Sequence, residues 1–152
     1  MFPEENTDMP KHLVDGLRKQ VCAWLLCLGC ALPLLSAAEQ DPVRQQLQTA
    51  LLHAEFAADG EKAPAIHYHL HHVINCLVGP RGDAFREEVG NPCEGQGRGL
   101  VHDLRGSAGR DEVDLALTAA LHGLNAEQVE AARAAGERVH RLLWAAQRAL
   151  EQ

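Results

Sequence analysis

The stretch NAEQVEAARAAGERVHRLLWAAQRAL, residues 125–150, decides the fold class. Val129, Ala132, Gly136, Val139, Leu143, Ala146 and Leu150 recur at alternating steps of three and four. That spacing puts them on one face of an α-helix and predicts an amphipathic helix over this stretch. Asn125, with Gln128 three residues on, has the spacing of a capping box at its start. Ala132 and Gly136 would let a second helix approach closely.

Three further helices are predicted upstream. Val113, Leu117, Ala120 and Leu121 line one face of a helix that Gly123 breaks. In DPVRQQLQTALLHAEFAADG, residues 41–60, Asp41 is placed to cap and Pro42 falls at the first helical position, where its missing N–H costs nothing. Val43, Leu47, Ala50 or Leu51, and Ala54 keep helical spacing, and Gly60 ends the run. Residues 61–78 form another helical candidate, with Pro64 in its first turn and Gly79–Pro80 as its stop. Four helices and no strand signal predict an all-α, four-helix-bundle-like domain. Residues 79–109 interrupt the pattern with eight glycines and two prolines. They read as a long Gly-rich loop, with AFREEV giving at most a short helical turn.

Composition narrows the function. Aromatic residues are only 4% of the chain, so alanine and leucine must build the core. The formal net charge of -7 and the absence of any basic run longer than two argue against nucleic-acid binding. In GLRKQVCAWLLCLGCALPLLSAAEQ, residues 16–40, Arg18 and Lys19 precede an apolar run from Val21 to Leu35. Small residues follow it. This order predicts a secretory leader over 1–38, cleaved after Ala38, and a single helical domain over 39–152. The acidic residues Glu4, Glu5 and Asp8 fit a leader poorly, and a start at Met9 would remove them. The apolar run is short for a bilayer span. Membrane attachment would come only through an uncleaved leader or through lipid on Cys30. The expected location is the periplasm or the exterior. A membrane-anchored form facing the periplasm is the alternative.

Three of the five cysteines fall inside the leader. The remaining pair, Cys76 and Cys93, reads as one disulfide in an oxidising compartment, clamping the Gly-rich loop to the second helix. NPCEGQGRG, residues 91–99, lacks the Lys and Ser or Thr of a phosphate-binding loop and follows no strand. A clamped cap is the expectation there.

The histidines carry the functional signal. AIHYHLHHVINC, residues 65–76, places His67, His69, His71 and His72 on one helix. His67/His71 and His72/Cys76 are i,i+4 pairs, and His69/His72 are three apart. Imidazole suits copper, nickel and zinc. His53 on the first helix is the best partner from outside, facing roughly residues 67–71 if the intervening turn sits near residue 60. His53 with His67 or His71 is the expected set, and His102 or His140 could complete it. His122 suits a helix C-terminus and needs no ligand role. Tyr68 is expected to reach a histidine with its hydroxyl, and Asn75 to cap or pin the following turn.

The expected function is therefore a periplasmic transition-metal-binding protein. The candidate ligands are His53, His67, His69, His71, His72 and His102. A structural or partner-binding bundle, as a homodimer or with a periplasmic protein, is one alternative. Haem b held between paired histidines is another. An enzyme is the weaker class: HExxH and GxSxG are absent, and Glu137 with His140 is a lone ExxH.

Overall fold

The computed structural model describes residues 41–152. The expected leader, its cleavage site, Met9 and Cys30 lie outside the described residues. Those described form five helices packed together, with no strand among them. They are α1 (Pro42–Ala58), α2 (Ala63–Val78), α3 (Leu100–Asp103), α4 (Arg110–Gly123) and α5 (Val129–Ala149). A 3₁₀ turn, η1 (Glu87–Val89), lies between α2 and α3. None of these helices is long and apolar enough to cross a membrane.

α5 buries Ala132, Gly136, Val139, Leu143 and Ala146, the middle of the stripe read from the sequence. α1 and α4 both pack against α5, and α2 packs against α1. Much of the interior is alanine: Ala50, Ala54, Ala57, Ala116, Ala120, Ala132 and Ala146 are fully buried. Each contributes little area, so stability depends on backbones coming close. Gly136 makes the closest approach possible. A Cβ there would stand 2.7 Å from the Ala57 carbonyl carbon and 2.8 Å from the Ala58 nitrogen. Leu143, the largest member of the stripe, is 0% exposed within the single chain.

Asp41 caps α1 through a 3.0 Å hydrogen bond that its carboxylate accepts from the Val43 N–H. The α5 start differs from expectation. Its N-cap is Gln128, with no side-chain cap. The capping box does not form, because Asn125 turns back and donates Nδ2–H to the Leu121 carbonyl at 3.0 Å, closing α4 instead. Leu121 is also displaced from the expected inner face. It is 38% exposed, while Ala116 and Ala119 turn inward. Gly123 is a packing residue, because a Cβ there would stand 2.7 Å from both Ala135 Cβ and Leu70 Cδ1.

The segment expected as one long loop contains α3, a helix too short to show a sequence period. Its placement depends on a backbone crossing at Gly79 and Gly99, both in the positive-φ region at 68° and 111°. A Cβ on Gly79 would overlap the Arg98 backbone, and one on Gly99 would overlap that of Val78. Only glycine satisfies both the conformation and the contact.

Candidate metal centre

One face of α2 holds the 86–93 segment at three successive points. At the first, His72 Nε2 meets the Val89 carbonyl at 2.7 Å. At the second, Asn75, fully buried, donates Nδ2–H to the Arg86 and Gly90 carbonyls, both at 2.7 Å. It also accepts the Arg86 N–H at 2.9 Å. At the third, Cys76 forms a disulfide with Cys93, with Cα atoms 5.3 Å apart. Positions 72, 75 and 76 share a face because they are three and four apart. Asn75 therefore pins the following segment, with every amide hydrogen and its oxygen satisfied.

This clamp fixes the chemistry of His72. A carbonyl only accepts, so the neutral His72 ring carries its proton on Nε2. Its Nδ1 is then left with a free lone pair. That lone pair points at His53, with the two Nδ1 atoms 3.3 Å apart. On the other side, His53 Nδ1 lies 3.2 Å from His69 Nδ1. One ring nitrogen from each of the three residues lies within 4.8 Å of the others. Ligands on adjacent corners of a tetrahedral ion stand roughly 3.3 Å apart when metal–nitrogen bonds are roughly 2.0–2.1 Å. Both Nδ1–Nδ1 contacts of His53 match that edge. A backbone carbonyl accepting from the far nitrogen is also the usual support for a metal-bound imidazole.

Electrostatics keep the ligands ready. Burial, followed by the nearby His72 and His69, lowers the His53 pKa to about 4. Burial and then His72 lower that of His69. Both rings are thus held in the neutral, ligating form at neutral pH. His72 is 7% exposed, and His53 and His69 are half-buried. On the outer side, Phe56 and Tyr68 flank the cluster, with ring centroids 5.1 Å from His69 and 4.3 Å from His72 respectively. Tyr68 therefore meets the histidines through its ring rather than through its hydroxyl.

The other candidates lie elsewhere. His67 Nε2 is 3.1 Å from the Ala126 carbonyl, tying α2 to the α4–α5 connection. His71 has a buried Nδ1 without a hydrogen-bond partner, and burial followed by Arg86 lowers its pKa. His102 contacts Asp103 at 3.3 Å on α3. His140 lies on α5. The interhelical set is His53 with His69 and His72, not with His67 or His71. α1 ends at Ala58 and α2 begins at Ala63, so the turn sits near residue 60 as expected, and it is the rotation of α2 about its own axis that brings His69 and His72 against His53.

The histidine triad could hold a metal ion. The chain matches no protein-family model, no curated protein and no solved structure, so its chemistry rests on this geometry alone.

Proposed function

We propose that the chain is an exported metal-binding protein and that His53, His69 and His72 take one transition-metal ion for sequestration, delivery or sensing. The observation that carries this reading is the His72 ring, oriented by the Val89 carbonyl so that its lone pair meets His53 Nδ1, which in turn lies against His69 Nδ1. In the metal-free protein a single proton on His53 Nδ1 must serve two facing nitrogens. A cation between the rings, with the His53 proton moved to Nε2, would meet three lone pairs. The affinity order of divalent ions puts copper first, with nickel next, whereas a tetrahedral set of imidazoles suits zinc. A bare ion fits better than haem b. Axial ligation from opposite faces would require the macrocycle to pass between two rings whose nitrogens are 3.2 Å apart.

Calorimetric titration of tag-free protein with Cu²⁺, Ni²⁺ and Zn²⁺, without reductant, tests the proposal. One ion per chain is expected. His53→Ala or His72→Ala should weaken binding by more than the roughly 10–100-fold that follows loss of a supporting group. His102→Ala should leave it unchanged. Absence of saturable binding, or equal losses in all three variants, would overturn the assignment.

A further inference from the structure

The crossing of Gly79 and Gly99 has a second effect, on the opposite end of α2 from the start of the histidine run. It brings Arg98 and α3 against the α2 C-terminus. There Arg81, Arg98, Arg105 and His102 surround a groove of about 270 Å³ whose apolar wall is Val78 and Val101, with Gly82 beside them. No run of sequence announces this patch. The arginines come from three positions that only the fold brings together, in a chain of net charge -7.

One carboxylate organises the groove. Asp103, with its side chain 11% exposed, accepts the Arg98 backbone N–H at 2.7 Å and Arg98 Nε–H at 2.9 Å. It also lies 3.3 Å from His102 Nδ1. Holding Arg98 by Nε leaves both terminal nitrogens of its guanidinium free to donate. Neither Arg81 nor Arg105 is paired with a carboxylate among the described residues. The lining thus carries three guanidinium charges against the single charge of Asp103. Guanidinium forks bind phosphate and carboxylate oxygens in pairs.

The geometry points to a second ligand site here, for a small phosphate monoester. The phosphate lies among Arg81, Arg98 and Arg105, and the ester group rests on Val78 and Val101. The groove is just below the roughly 300 Å³ at which ligand pockets usually begin, which limits the organic portion to a small group. Asp103 is a positioning residue, because it aims Arg98 without facing the anion itself.

Metal-free full-length protein titrated with phenyl phosphate and with inorganic phosphate tests the site. Phenyl phosphate should bind saturably and about tenfold more tightly than inorganic phosphate, since only it covers the valine wall. Raising the salt concentration should weaken both. The exposed pair Arg81→Gln with Arg105→Gln should lose at least tenfold in phenyl phosphate affinity while keeping the same Tm and the same metal affinity. Vesicles of phosphatidylglycerol and of phosphatidylcholine separate a lipid headgroup from a free ester. Retention on phosphatidylglycerol that phenyl phosphate does not displace would overturn the assignment in favour of a membrane surface. So would failure of phenyl phosphate to saturate, or unchanged binding in the double variant.

Discussion

The α5 side and the histidine face of α2 are held by different physics. Along α5, packing rests on small side chains and on Gly136, which lets backbones of two helices nearly touch. The buried stripe itself is apolar, and Arg133 adds hydrogen bonds to the Gly60 carbonyl from beside it. On the histidine face, a segment with no more than a 3₁₀ turn lies against a helix. Its carbonyls must be satisfied individually, by Asn75 and His72, and a covalent bond secures it. The first arrangement tolerates exchange of one apolar residue for another of similar volume. The second depends on particular atoms, and it is the one that positions the candidate metal ligands.

The largest break in this comparison should come from the α5 side. Leu143→Asp would bury a charge among apolar residues at a position that is 0% exposed. Loss of cooperative folding is expected. The milder Leu143→Ala should cost about 2–5 kcal/mol. Urea denaturation followed by circular dichroism measures both. Near-native stability of the Asp variant would mean that the α5 stripe does not form the core.

Cys93→Ser should have the next largest effect and should reach the other region. The disulfide closes a loop with a sequence separation of 17, and its loss is expected to cost about 3 kcal/mol on the chain-entropy model. The metal affinity should fall as well, because Val89 no longer holds the His72 ring. If stability falls while metal affinity is unchanged, the 86–93 segment is not what orients His72.

A smaller effect separates the regions by pH. Unfolded histidine titrates near its ordinary value of 6.5, while folded His53 does so at about 4. Between these values the unfolded chain binds more protons. Stability of the metal-free protein is therefore complete above about pH 6.5 and declines as pH falls toward 4. His69 and His71, lowered in the same direction, add to the decline. Denaturation of wild type and His53→Phe across this window measures it. The variant should lose less stability on acidification, and equal pH slopes would mean that His53 is not held neutral by the fold.

Legibility in the sequence followed how local the cause was. Helix existence was readable, because the three–four spacing of residues 129–150 and the Asp41–Pro42 start are set by the chain itself. The Cys76–Cys93 bond was readable from the even remainder of cysteines, and the role of Asn75 from its place at a helix end. Details at helix ends were less so. Asn125 has one side chain and two helices to serve, and the packing of Gly123 against Leu70 and Ala135 brings it to the end of α4.

The sequence by itself determined that the described chain would be helical, that alanine would build much of its interior, and that α2 would display histidines beside a clamped segment. Tertiary structure decided which histidines meet. The four on α2 fall into the pairs His67/His71 and His69/His72, four and three apart, and only the rotation of α2 against α1 selects His69 and His72 to face His53. It likewise decided that Arg81, Arg98 and Arg105 line one groove, because that proximity comes from a glycine-permitted backbone crossing and leaves no periodic trace along the chain.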